Sequence, residues 1–175
     1  MDNGTYSWAG GVKVKDSFFF KDVFSMGNGI IYALQDNGDL LWYKHLGYQN
    51  GTDSWDPKSG TKVGWRWNCF SSIISAGNGI LYGILPNGNL LWYRHTDYLT
   101  GGSTWDSKNT SLIGWDWNNY KAVISAGNGV LFAIDIKGNV LWYKHTGYLT
   151  GVNSWDNNSW DNRNSAIIGN GWLWR

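Results

Sequence analysis

Three histidines, His45, His95 and His145, occupy one position in a sequence that returns to itself every 50 residues. Three imidazoles could hold a zinc ion if a three-fold axis gathered them. No carboxylate accompanies all three, and the simpler reading is a strand-end histidine lying over its own loop. All 13 acidic residues are aspartates, and Asp56, Asp106 and Asp156 recur once per repeat. Glycoside hydrolysis needs one pair of carboxylates held in different environments. A once-per-repeat pattern instead suits several equivalent binding positions, so the chain reads as a binding protein rather than an enzyme. Gly-Asn-Gly at residues 27, 77 and 127 lacks the following helix that would make it a phosphate loop. The single cysteine, Cys69, permits neither an intrachain disulfide nor a cysteine-rich metal site, and no cofactor is expected.

The more informative residues are loop aromatics. Trp55, Trp105 and Trp155, followed by Asp56, Asp106 and Asp156, close long loops rich in Gly, Ser and Thr. An indole face can lie against the C–H face of a sugar while the carboxylate accepts hydrogen bonds from hydroxyls. The competing readings are a loop anchor for the tryptophan and an Asx-turn or cap for the aspartate. Tyr48, Tyr98 and Tyr148 open the same loops and could supply a wall or a hydroxyl. Asn37/Asp39, Asn87/Asn89 and Lys137/Asn139 flank a hairpin turn, and turn formation alone accounts for them. Trp42, Trp92 and Trp142 sit mid-strand, where packing between units is the expected role.

The elements that must position these residues follow from the repeat. Leu41-Trp42-Tyr43-Lys44-His45 returns as Leu91-Trp92-Tyr93-Arg94-His95 and Leu141-Trp142-Tyr143-Lys144-His145. The units run 20–69, 70–119 and 120–175, after an N-terminal segment, 1–19, that could supply one orphan strand. In the third unit Asn153-Ser154-Trp155-Asp156-Asn157 is immediately duplicated as Asn158-Ser159-Trp160-Asp161-Asn162, an insertion that a surface loop tolerates. Each unit predicts four short antiparallel strands; in the second they cover 71–76, 80–85, 90–95 and 112–117, joined by Asn-Gly turns. The absence of Glu and the wealth of Trp, Tyr and Ile agree with an all-β chain.

Composition narrows the partners. The net charge is +1 with no basic stripe, which argues against a nucleic-acid ligand. No apolar run approaches the roughly 20 residues of a membrane span, so no membrane insertion is expected. Met1-Asp2-Asn3-Gly4-Thr5 carries no basic and apolar leader, which leaves the compartment open between the cytoplasm and a secreted mature chain.

Two architectures accommodate three four-stranded repeats: blades of a β-propeller, which normally has about 4 to 8, and a β-trefoil, which closes within one chain. The motifs favour the first. Phe70 and its following strand, Gly79-Ile80-Leu81-Tyr82-Gly83-Ile84, Leu91-Trp92-Tyr93, Ser103-Thr104-Trp105 and Ile113-Gly114-Trp115 resemble the repeats of tachylectins, over about residues 20–175. The chain departs from them in having Trp-x-Trp where the family has Gly-Gly-Trp, except in the last unit, Gly169-Asn170-Gly171-Trp172. It also has three units where the resemblance implies a five-bladed ring. The resemblance implies a multivalent lectin for N-acetylated amino sugars such as GlcNAc or GalNAc, with glycans or glycoproteins as partners. It implies one shallow site per repeat, between the turn region of one blade and the long loop of its neighbour. The candidate sugar-binding residues are Tyr48, Trp55, Asp56, Asn87, Asn89, Tyr98, Trp105, Asp106, Asn139, Tyr148, Trp155 and Asp156. A protein-interaction propeller without sugar affinity is the alternative. Three blades leave two open faces, so a homodimer that completes the ring is expected.

Overall fold

A computed structural model describes residues 20–156 and 164–172. The N-terminal segment, 1–19, with the orphan strand expected there, and the second copy of the duplicated loop, 158–162, lie outside the described residues. Twelve strands form three four-stranded antiparallel sheets, and among the described residues none closes a barrel. The first sheet contains β1 (Asp22–Gly27), β2 (Ile30–Leu34), β3 (Leu40–Lys44) and β4 (Thr61–Gly64). The second contains β5 (Ser72–Gly77), β6 (Ile80–Ile84), β7 (Leu90–Arg94) and β8 (Ser111–Gly114). The third contains β9 (Tyr120–Gly127), β10 (Val130–Asp135), β11 (Val140–Lys144) and β12 (Ala166–Gly169). Each sheet is a meander, its strands lying in chain order.

Turn chemistry sets the meander. Asn78 and Gly79 both have positive φ, 54° and 77°, the type I′ geometry whose twist matches that of the flanking strands. Glycine is required there for a second reason: a Cβ on Gly79 would stand 2.3 Å from the His95 carbonyl oxygen. The next hairpin is a type I turn closed by left-handed Gly88, whose N–H donates to the Leu85 carbonyl at 2.9 Å.

The first strands of consecutive sheets lie side by side, β1 against β5 and β5 against β9. The Ser75 hydroxyl donates across the first of these boundaries to the Ser25 carbonyl at 2.6 Å. The middle sheet is therefore covered on both faces, and all five residues of β6 are buried. That explains the weak period-two alternation of its strands. The fourth strand is shorter than expected: it ends at Gly114 rather than 117. Asp116 has φ 65°, which turns the chain out of the sheet into a 3₁₀ turn, Trp117–Asn119. The first sheet ends the same way, through Arg66 (φ 65°) into Trp67–Cys69.

Candidate functional site

Where one sheet meets the next, a seam with the same bonds appears twice. Trp42 and Trp92 are fully buried and donate their indole N–H to the Tyr98 and Tyr148 carbonyls of the following sheet, both at 2.7 Å. Gly101 and Gly151 lie flat against those indoles, where a Cβ would stand 2.5 Å from the ring in each case. Lys44 and Arg94 donate to the Leu99 and Leu149 carbonyls. The histidines belong to this seam. His95 and His145 are buried, each bonding a loop carbonyl (Gly102 or Val152) through Nε2 at 2.7 Å. A carbonyl can only accept, so Nε2 carries the proton and Nδ1 accepts from the Tyr32 or Tyr82 hydroxyl of the preceding sheet. Burial pushes both imidazoles below their ordinary range and both phenols up. The three histidines thus stand in three separate sheets, each tied to its own loop.

Each seam opens outward into a cleft. Gly64 and Gly114 are the hinge of its wall: a Cβ there would stand 2.4 Å from Nε1 of Trp67 or Trp117. The backbone N–H of those tryptophans donates to Gly38 or Gly88 at 3.0 Å, pinning the linker to the hairpin of its own sheet. The loop tryptophan of the next sheet then closes over it. Trp105 donates to the Val63 carbonyl and Trp155 to that of Ile113, both at 2.7 Å. Their rings lie 5.4 and 5.6 Å from Trp67 and Trp117, and 4.6 and 4.9 Å from His95 and His145.

The first cleft, about 300 Å³, is lined by Gly64, Trp65, Trp67, Tyr93, Trp105, Asn109 and Thr110. The second, about 270 Å³, is lined by Ile113, Gly114, Trp115, Trp117, Tyr143, Asn153, Trp155 and Asn164. Trp65 and Trp115 stand at the two mouths, 71% and 60% exposed. Asn109 and Asn164 are fixed by accepting the Arg94 and Lys144 backbone N–H at 2.8 Å. The Tyr93 phenol is pushed up to about 12, chiefly by burial, and burial also raises that of Tyr143. Both stay protonated and able to donate at neutral pH. No charged side chain lines either cleft. The arrangement can take a small uncharged ligand with apolar faces and polar edges, near the low end of the ~300–1,000 Å³ of ordinary ligand pockets.

Of the residues singled out from the sequence, Trp105 and Trp155 line these clefts. Trp55 holds the corresponding place on the first sheet, its indole N–H bonded to Asp53 at 3.1 Å and its ring 4.7 Å from His45. Asp56 and Asp106 accept the backbone N–H of Lys58 and Lys108 at 2.9 and 2.8 Å, as Asx-turns, and the Asp156 carbonyl accepts from Asn164. Asn87 accepts the Asn89 N–H within its hairpin, and Asn139 bonds Asp135, so these three lie at turns rather than in a cleft. The Tyr98 and Tyr148 rings cover Gly79 and Gly129, as Tyr48 covers Gly29. The cleft residues that sequence reasoning missed are Trp65, Trp67, Trp115, Trp117, Tyr93, Tyr143, Asn109, Thr110, Asn153 and Asn164. Their signal was the Trp-x-Trp pair that closes the first two units, Trp65-Arg66-Trp67 and Trp115-Asp116-Trp117.

Among the described residues no helix is long and apolar enough to cross a membrane. No curated protein matches the chain. The family model Tachylectin matches residues 8–175, nearly the whole length, and the chain belongs to that family of lectins, carbohydrate-binding proteins that are not typically enzymes.

Proposed function

We propose that this tachylectin-family chain is a non-catalytic, multivalent lectin whose sheets are propeller blades and whose sugar sites are the seam clefts. The observation that carries the proposal is that one cleft, walled by tryptophans and edged by a fixed asparagine, is built at both seams in the same register. Three separate sheets whose first strands adjoin support blades over a trefoil. An uncharged cleft suits a neutral sugar. Its size suits a single ring, and its indoles offer apolar faces to pyranose C–H groups and to an acetamide methyl. N-acetylated amino sugars such as GlcNAc or GalNAc satisfy all three conditions. Weak single sites gain by repetition, since linked sites raise avidity by ~10²–10⁴ on a target that presents matching ligands.

Trp65 and Trp115 provide a clean test, because they are exposed and their loss leaves the seam intact. Trp65→Ala with Trp115→Ala should melt like the parent and lose GlcNAc binding by at least tenfold in titration calorimetry. Unchanged affinity in the folded double variant would remove the clefts from consideration. The same two exposed indoles support a second reading, a protein-binding surface with tryptophan hot spots. A blank glycan array from folded protein would favour it.

A further inference from the structure

Where the second sheet meets the third there is a further cavity, of about 230 Å³, which shares Trp117 with the second cleft and no other lining residue. The start of β5 and the end of β6 form one bank, and the linker and the start of β9 form the other. Ile84, Pro86 and Val123 make its walls apolar, and the Tyr120 ring stands edge-on to Trp117 at 5.7 Å. Asn118 ties the two banks together, its side-chain amide donating to the Pro86 carbonyl at 3.1 Å. The Tyr120 hydroxyl bonds that of Tyr143, and the Ser71 hydroxyl donates to the Ile84 carbonyl at 2.9 Å, so both belong to the fixed wall. Lys121 is the one charged residue of the lining; it is exposed and makes no ion pair among the described residues. The neighbouring Ser72 hydroxyl bonds no described residue either.

The junction of the first and second sheets builds the same frame with the opposite charge. Asn68 donates to the Asp36 carbonyl at 3.1 Å, and Phe70 lies 5.5 Å from Trp67. There Asp22 holds the place of Ser72, Asp36 that of Pro86, Ser71 that of Lys121, and Lys21 that of Ser71. The lining positions thus carry one net positive charge at the second junction and one net negative charge at the first.

We propose that the groove beside β9 is a second kind of ligand site, for an acidic monosaccharide: a pyranose ring that bears a carboxylate. The carboxylate takes Lys121 as its cation and the Ser72 hydroxyl as a donor. The ring offers a C–H face to Pro86, Val123 and the Tyr120 ring. A neutral sugar gains nothing from the lysine, and a bare inorganic anion leaves the apolar wall uncovered; a carboxylated sugar uses both. At the first junction the same ligand would face Asp22 and Asp36, and like charges repel it. Of the two junctions, only the second therefore takes the acid. The site is separate from the uncharged clefts and does not rest on their assignment to neutral sugars.

An NMR titration of the full chain with sodium glucuronate, followed amide by amide, locates the site. The Ser72, Asn118 and Lys121 signals should shift together and saturate, while those of Lys21, Asp22 and Asp36 stay in place. Glucose at the same concentration should move none of these six. The affinity for glucuronate should fall as sodium chloride is raised from about 20 to about 200 mM. Lys121→Glu reverses the charge at an exposed position and should weaken glucuronate by about fivefold or more. Ser72→Asp brings to β5 the residue that β1 already carries at Asp22, and it should weaken the acid to a similar degree. Both variants should melt like the parent. Trp65→Ala with Trp115→Ala should leave glucuronate binding unchanged. No shifts in the parent, equal shifts with glucose, undiminished binding in folded Lys121→Glu and Ser72→Asp, or binding lost with the two cleft tryptophans would each overturn the proposal. Absent GlcNAc binding with glucuronate bound as expected would count against the lectin reading of the clefts only.

Discussion

The two clefts share a frame and differ at their edges. Both have an indole at the mouth, an indole at the back, a loop tryptophan bonded to the preceding fourth strand, and an asparagine fixed by a backbone N–H. Against that constant frame, the second cleft adds Asn153, whose side-chain oxygen accepts from the Trp155 indole at 3.0 Å; the first has Ser103 at that position. Behind the back wall, Phe70 stacks edge-on to Tyr93 in the first cleft. In the second, Tyr120 hydrogen-bonds the Tyr143 hydroxyl. The frame is what holds the sheets together, and the edges are free to choose a ligand. Stability experiments should therefore treat the two seams alike, and binding experiments should tell the two clefts apart.

The largest effect tests the sameness of the frame. Trp42→Ala and Trp92→Ala should each cost about 3–5 kcal/mol, as expected for a fully buried aromatic, in denaturant unfolding followed by circular dichroism. Costs that differ by more than about 2 kcal/mol would show that the seams are not equivalent. Tyr32→Phe and Tyr82→Phe come next. Each leaves a buried imidazole nitrogen without its donor, at a cost of about 1–3 kcal/mol.

Acid sharpens the comparison further. His95 and His145 are held below the ordinary value near 6.5 by burial. The unfolded chain then binds protons that the folded chain refuses. Stability is complete above pH 6.5 and falls as the pH drops from there toward the lowered native values. The melting temperature should accordingly decline between pH 7 and pH 5, and His95→Gln with His145→Gln should flatten that decline. The smallest effect belongs to the edges: Asn153→Ser should shift the weaker or stronger of two calorimetric sugar sites by about 2- to 10-fold. The other site and the melting temperature should stay unchanged.

Much of the fold was open to inspection in the sequence. The 50-residue register, the Asn-Gly turns and the mid-strand tryptophans all locate strands that the structure contains, because a turn needing two positive φ values admits few residues. The clefts were less legible. Trp105 meets the Val63 carbonyl from 42 residues away, a contact that no local pattern encodes. Residues 115–117 read as the end of a strand, and only the left-handed backbone at Asp116 turns them into a cleft wall. Turn formation accounted for Asn87, which stood among the candidates only through the tachylectin resemblance, and its side-chain oxygen accepts the Asn89 N–H. The Trp-x-Trp pair was visible as a departure from the tachylectin pattern, yet its meaning depended on which surface the following sheet would bring opposite.

Apart from the Tyr32–His95 and Tyr82–His145 pairs, most side-chain bonds across a seam end on a main-chain oxygen: Tyr98, Leu99, Val63, Tyr148, Leu149 and Ile113 all accept through their carbonyls. Such an acceptor is present whatever side chain its residue carries. The loops can therefore drift in sequence, at the positions that face a ligand, without unfastening the units from one another. A gene that duplicates one unit also duplicates both halves of its fastener. The architecture can grow by whole units and vary by single residues, and neither kind of change obstructs the other.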